Sequence, residues 1–392
     1  MELDTLLPDL HARITTVRRD IHSHPELAFK ENRTADVVAD YLAGLGIEVH
    51  RGLAGTGVVA KISAGSSTRA IGLRADMDAL PLRELNTFPH HSKIDGHMHA
   101  CGHDGHTAML LGAAEALAKT RNFDGTVYLI FQPAEEHEGG GRVMVEEGLF
   151  EKFPMEMVFG LHNWPGLEAG KISVIEGPVM AGTDRFEITV TGRGGHAAMP
   201  HQANDAVVAS AALITNLQTL VSRNTDPQEA TVVSVTRIHA GHADNILPNS
   251  VVMGGTVRTL KPELKDMMEA GVRRICTGIE AMFGVEVDLV YSYGYPPTIN
   301  AKQATEHARA VAAKVVGAQN LVTHLKPSMG AEDFAYMAAV KPGCYVWLGN
   351  GMGEGGCMLH SPHYDFNDEV IPTGIRYWVT LVETILANKD AQ

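Results

Sequence analysis

Two hydrophobic periods run through this chain and divide it into elements. Leu6, Leu10, Ile14, Val17 and Ile21 recur at helical spacing, and a second helix is predicted over residues 34–45, ended by Gly46. Strands are predicted near residues 47–50 and 57–63. The stretch Ala70-Ile71-Gly72-Leu73-Arg74-Ala75-Asp76 then predicts a buried strand that ends in two carboxylates, Asp76 and Asp78. A helix is expected over 107–119, a strand over 125–132 that stops at Pro133-Ala134-Glu135-Glu136, and a strand over 157–161 that ends in His162. Near the end come a helix over 303–316, a buried strand over 344–348 and a closing helix over 369–387. Several buried strands thus carry polar residues at their carboxyl ends, which is where α/β sheets collect functional groups.

Residues 184–295 read differently. Strand, helix, two strands, helix and strand follow in the order βαββαβ, a compact ferredoxin-like α+β unit. Such a unit has its termini close together, as an inserted domain requires, and Pro296-Pro297 marks its exit. The expected fold is α/β. A discontinuous host domain (1–183 and 296–392) has a mostly parallel sheet flanked by helices, and the α+β domain (184–295) is inserted into it.

Composition narrows the function. The chain has 392 residues, and 32 Lys+Arg against 46 Asp+Glu give a net charge of −14. With no compensating basic block, nucleic acid and anionic membranes are excluded as partners. No apolar segment has the length of a membrane span, and the N-terminal stretch lacks the features of a signal peptide. Cys101, Cys276, Cys344 and Cys357 are too scattered for a disulfide framework, so a cytoplasmic protein is expected. Gly55-Thr56-Gly57 imitates a dinucleotide fingerprint but opens a β-branched run instead of a helix.

Ten of the 20 histidines gather at 90–106, 196–201 and 360–363. The densest stretch is His97-Met98-His99-Ala100-Cys101-Gly102-His103-Asp104-Gly105-His106. Imidazole and thiolate suit zinc and similar divalent ions, and a helix N-terminus favours a thiolate. The candidate ligands are Cys101, His103, Glu136, His162 and His360, with Glu135 beside them. They outnumber what one zinc takes, so a two-metal site with a bridging ligand and water is the simpler reading. Neighbouring Glu135 and Glu136 point in different directions, so one can bind metal while the other acts as general base. No Gly-x-Ser-x-Gly elbow or His-Glu-x-x-His helix is present.

These residues give the chain a resemblance to the dinuclear metallopeptidase family of aminoacylases and glutamate carboxypeptidase. Within it, the chain resembles the amidohydrolase branch of hippurate hydrolases and indole-acetyl-amino-acid hydrolases. The likeness runs through Ile21-His22-Ser23-His24-Pro25-Glu26-Leu27, Arg74-Ala75-Asp76-Met77-Asp78-Ala79-Leu80-Pro81, Met98 to His106, Pro133-Ala134-Glu135-Glu136, Gly160-Leu161-His162-Asn163, Gly195-His196-Ala197-Ala198 and Leu359-His360. The resemblance implies Cys101, His103, Glu136, His162 and His360 as ligands of two divalent ions, and Glu135 as general base. It implies that the inserted domain is a lid that also pairs subunits into a homodimer or tetramer. His196 of that lid would reach the partner's active site and stabilise the oxyanion, and Asn245 and Arg258 would grip the substrate carboxylate.

The family's usual His-x-Asp element reads Arg74-Ala75-Asp76 here. Asp76 and Asp78 are therefore expected to orient a ligand. The role of Asp104 stays open at this point. Zinc or manganese is the expected metal, with cobalt or nickel also compatible with the ligands. The expected reaction is hydrolysis of a small N-acyl amino acid at its amide bond. A metallo-dipeptidase or carboxypeptidase is the alternative enzyme, and a non-catalytic binding protein on the same scaffold is the alternative class.

Overall fold

The structure, a computed structural model, describes residues 2–137, 139–351 and 358–388, so Cys357 lies outside the described residues. The chain forms two compact units: one of Met1–Gly177, Ile299–Lys326 and Asp333–Gln392, the other of Pro178–Thr298 and Pro327–Glu332.

The first unit begins with α1 (Leu3–Ser23), α2 (Asn32–Gly44), β1 (Glu48–Leu53), β2 (Gly57–Ala64) and β3 (Ala70–Asp76). It continues with α3 (His103–Thr120), β4 (Gly125–Gln132), α4 (Gly140–Glu146), β5 (Met157–Pro165) and β6 (Ile172–Ser173). The second unit holds β7 (Gly182–Thr191), α5 (Ala206–Thr219), β8 (Thr231–Ala240), β9 (Ser250–Thr259), α6 (Pro262–Phe283) and β10 (Glu286–Tyr293). The chain then returns to the first unit as α7 (Lys302–Val316), β11 (Leu321–Val322), α8 (Phe334–Val340), β12 (Gly343–Gly351) and α9 (Ile371–Ile385).

The large sheet has the order β1-β2-β4-β3-β5-β12-β6-β11. Its centre, β4, β3, β5 and β12, is parallel, while β2 and β6 run antiparallel to it and β1 pairs antiparallel with β2. Central strands covered on both faces read as near-continuous apolar runs, and every residue of β3, Arg74 and Asp76 included, is buried. The α/β architecture expected from the pattern is therefore present, with antiparallel strands added at the sheet's margins. Parallel alignment puts Asp76 level with Gln132, and Trp347 level with His162, so the strand ends meet along one edge.

Helix α3 is the spine of this unit. It packs on β3, α1 and α9, and its residues from His103 to Leu117 are all buried. The apolar pattern places its start near residue 107, but the helix begins at His103. Its first turn is polar and buried, so apolar periodicity does not register it.

The second unit is an antiparallel sheet, β8-β9-β7-β10, with α5 and α6 packed on it. Alternation along β7 turns Phe186, Ile188 and Val190 inward, where they share a core with Leu213, Leu217, Met268 and Val272. This is the strand order of a ferredoxin-like unit. Among the described residues, no helix is long and apolar enough to cross a membrane.

Candidate metal centre

Gly102 makes the opening turn. It sits at φ 97°, and a Cβ there would lie 2.3 Å from Asn163 Oδ1 and 2.7 Å from the Tyr364 hydroxyl. Only glycine combines that backbone with that space. The turn delivers Cys101 and His103 on either side of the α3 N-terminus. His360 joins them through its backbone, whose N–H donates to the Ala100 carbonyl at 2.8 Å.

Two hydrogen bonds fix which nitrogen of each buried histidine is free to bind an ion. His162 Nδ1 lies 2.6 Å from the Asn163 carbonyl, and His103 Nδ1 lies 2.9 Å from the Asp78 carbonyl. A carbonyl can only accept, so both Nδ1 atoms carry a proton and Nε2 is the nitrogen left to bind an ion in exchange for any proton it holds. His162 Nε2 faces Cys101 Sγ at 3.4 Å. His103 Nε2 lies 3.9 Å from Glu136 Oε1 and 4.0 Å from Glu135 Oε2, and Glu136 Oε1 lies 3.4 Å from His360 Nε2. The structure thus brings together all six residues singled out for this centre.

The donors fall into groups: Cys101 with His103 and His162, Cys101 with Glu136 and His360, and His103 with Glu135 and Glu136. Within each, the ligand atoms lie within 4.8 Å of one another. Cys101 is shared by the first two, the arrangement a pair of ions needs. His103 Nε2 and Glu136 Oε1 are buried and have no hydrogen-bond partner among the described residues. Leaving such atoms unsatisfied costs about 1–3 kcal/mol each. Electrostatics agree with a cation in this space. Burial, and then the charges of Glu136, Glu135 and Asp76, push the Cys101 thiol well up. Burial opposes charge on His103, yet Asp76, Asp78 and Glu136 raise it to about 10. Burial, helped by His106, keeps His162 low and neutral, the ligating form. The residues present fit divalent ions.

Behind the donors lies a layer of buried ion pairs. Asp78 Oδ1 lies 3.1 Å from His103 Nδ1, and Asp78 Oδ2 accepts the Glu136 N–H at 2.9 Å. Asp76 meets His106 Nδ1 at 2.6 Å and the Arg74 guanidinium at 2.7 Å. Burial raises the pKa of Asp76, but His103, Arg74 and His106 together hold it well below the usual carboxylate range. Asp104 turns away from the donors, to His22 Nδ1 at 2.8 Å and Arg18 Nε at 3.2 Å. His99 is buried among these groups, and burial lowers its pKa to about 4.

Residue patterns did not single out Arg74, Gln132 and Asp333 as one group. Arg74 donates to Gln132 Oε1 at 2.8 Å and to Asp333 Oδ1 at 2.8 Å, and the Asp333 N–H lies 3.4 Å from Glu135 Oε1. One signal was available: an arginine inside a wholly buried strand must find carboxylates. Ala134, between these anchors, has φ 56°, a left-handed step that costs a non-glycine residue about 1–2 kcal/mol.

The other three candidates belong to the second unit. Gly195–His196 pairs antiparallel with Ile246–Leu247, and the Ala197 N–H donates to the Asn245 carbonyl at 3.1 Å, so His196 and Asn245 are neighbours. His196 is exposed. Arg258 is not with them. It sits near the far end of β9, where Thr259 pairs with Gly182, whereas Ser250 at the near end pairs with Thr191.

A model of peptidase family M20/M25/M40 matches residues 72–384. A hippurate hydrolase of Campylobacter jejuni is 42% identical over 381 residues, covering 97% of this chain and 98% of that protein. An N-acetylcysteine deacetylase of Bacillus subtilis is 39% identical over 379 residues, covering 96% and 97%. Among solved structures, a Bacillus subtilis protein described as a dinuclear metal binding peptidase of the M20 family superposes with TM-score 0.85 at 35% identity, covering 97% of this chain and 99% of that one.

Proposed function

This chain belongs to peptidase family M20/M25/M40 and is a metal-dependent amide hydrolase; from that premise we propose that it cleaves N-acyl amino acids into a carboxylic acid and a free amino acid. The observation that carries the reading is the split between the two adjacent glutamates. Both glutamates share a donor group with His103, but only Glu136 also groups with Cys101 and His360, while Glu135 Oε2 lies 4.0 Å from His103 Nε2. Two of the relatives above are named for removing an acyl group from an amino acid.

In this reading Cys101, His103, Glu136, His162 and His360 hold two divalent ions, zinc or manganese first. The ions, when bound, polarise the amide carbonyl and acidify a water. Glu135 takes a proton from the attacking water and delivers it to the amine nitrogen as the C–N bond breaks. Asp76 and Asp78 keep the histidines oriented, and the substrate carboxylate is gripped by Arg258 of one copy's lid and by Asn245 of the lid that supplies His196.

Residues 184–295 act as a lid and pair two copies of the chain. Support comes from β8, an edge strand whose residues from Thr236 onward are exposed. The span of β9 supports a role for His196 in the partner's site. Eight residues separate Ser250 from Arg258, roughly 26 Å at strand rise. That is longer than a small N-acyl amino acid, so His196 and Arg258 of one lid cannot both attend one substrate. The cytoplasm suits the protein, because a reducing compartment preserves a metal-binding thiol.

A substrate panel tests the reading. Chelator-treated protein, reloaded with zinc or manganese, is assayed on hippurate, acetyl-amino acids and dipeptides. Metal-dependent release of amino acid from the acylated substrates is expected. Turnover confined to dipeptides overturns the N-acyl reading in favour of a peptidase.

A further inference from the structure

Glu31 lies outside every group assigned so far, yet it is fully buried and precedes the first residue of α2. Its carboxylate binds three separate segments. Oε1 accepts the Ala134 N–H at 2.9 Å and the Phe29 N–H at 3.1 Å, and Oε2 accepts the Thr56 hydroxyl at 2.7 Å. Ala134 and Phe29 are both non-glycine residues in the left-handed region, at φ 56° and 58°. Thr56 belongs to the turn that joins β1 to β2. One buried acid thus ties together two strained backbone steps and a hairpin tip.

The strained step at Ala134 is the one that matters for chemistry. It separates Pro133, the residue just past β4, from Glu135 and Glu136. With Ala134 held this way, Glu135 Oε2 and Glu136 Oε1 both lie about as far from His103 Nε2, at 4.0 and 3.9 Å. On the other side of the turn the Ala134 carbonyl accepts the Gly140 N–H at 2.9 Å. A Cβ at Gly140 would meet the Pro133 carbonyl at 1.8 Å, so the turn is closed tightly against its own exit. Asp78 anchors the Glu136 N–H and Asp333 reaches Glu135, but the Ala134 N–H itself is held by Glu31.

We propose that Glu31 is a positioning residue of the hydrolytic centre, holding the Ala134 amide so that Glu135 and Glu136 keep their separate directions. The proposal rests on the amide-hydrolase reading of the site. Glu31 touches neither substrate nor reacting atoms. Burial favours its protonated form, raising it to about 7, and a neutral carboxyl still offers its carbonyl oxygen to the Ala134 N–H. Glutamine offers the same acceptor, whereas alanine offers none.

The test compares Glu31→Ala with Glu31→Gln in the metal-loaded full chain. Readouts are kcat, KM, metal stoichiometry, amide hydrogen exchange at Ala134 and the visible spectrum of the cobalt-loaded protein. In Glu31→Ala, kcat should fall by about 100-fold, as for an active group displaced by about 1 Å, with KM within a few-fold and both metals retained. Exchange at Ala134 should quicken and the cobalt spectrum should change. Glu31→Gln should restore all of these to near wild type. A folded Glu31→Ala protein with wild-type kcat and spectrum overturns the proposal, as does a loss of kcat that only follows lost metal. Should Glu31→Ala not fold, Thr56→Val, which strips one hydrogen bond from the same carboxylate, takes its place. Its kcat should then fall several-fold, and unchanged kcat and spectrum overturn the proposal. Exchange and spectrum need no substrate, so a wrong substrate reading fails in the wild-type assay without moving them.

Discussion

Asp78 faces the Nδ1 edge of His103 twice, with its carboxylate at 3.1 Å and its backbone carbonyl at 2.9 Å. That double contact spends Nδ1 on the protein and points Nε2 at Glu135 and Glu136. The other oxygen of Asp78 holds the Glu136 amide, so one side chain orients a histidine and a carboxylate that share the same centre.

Replacing Asp78 with alanine should therefore weaken metal binding by about 10–100-fold, the usual effect of losing a group that orients a ligand. Competition against a chelator of known affinity measures it. Unchanged affinity would remove Asp78 from the design of the site.

Glu135→Gln should lower kcat by about 10²–10⁴-fold while the protein still binds its full complement of metal. Steady-state kinetics alongside elemental analysis separates the two effects. A variant that loses metal together with activity would mark Glu135 as a ligand instead of the proton carrier.

Mixing Glu135→Ala chains with His196→Ala chains should restore turnover that neither variant has alone. Each mixed dimer would carry one site with an intact Glu135 and an intact His196 from the other chain. No recovery, after subunit exchange is verified by mass, would place both residues in the service of the same chain's site.

The His22–Asp104 pair should make stability depend on pH. Burial alone would lower the pKa of His22, but Asp104 and Glu84 raise it to about 9, against 6.5 for an ordinary histidine. The folded chain therefore holds a proton that the unfolded chain releases between these values. The stabilisation is complete below about pH 6.5 and is lost as pH rises through about 9. In thermal unfolding, the advantage of the wild type over His22→Gln should be greatest below pH 6.5 and shrink by pH 9. A constant difference across that range would contradict the pairing.

The hydrophobic pattern specified most of the fold because each period answers to a local cause. Alternation along β7 and the mostly apolar, wholly buried β3 follow from whether one or both faces of a strand are covered. The pattern failed at the first turn of α3, where His103, Asp104 and His106 are buried without being apolar. Their burial depends on partners such as Arg18, Asp76 and Asp78, which come from other elements.

The candidate site divides in the same way. Residue types at strand ends and in the histidine-rich turn already named Cys101, His103, Glu135, Glu136, His162 and His360, since thiol, imidazole and carboxylate are the groups that bind and serve metal ions. Sequence could not say that Cys101 would be shared between two donor groups, that Asp104 would turn to Arg18, or that Glu31 would hold Ala134. It also could not place His196 and Asn245 at a small two-stranded sheet and Arg258 at the far end of β9. Chemistry is a property of the side chain and is written residue by residue. Grouping depends on sheet register and on buried contacts between segments far apart in the chain, and only the folded structure sets those.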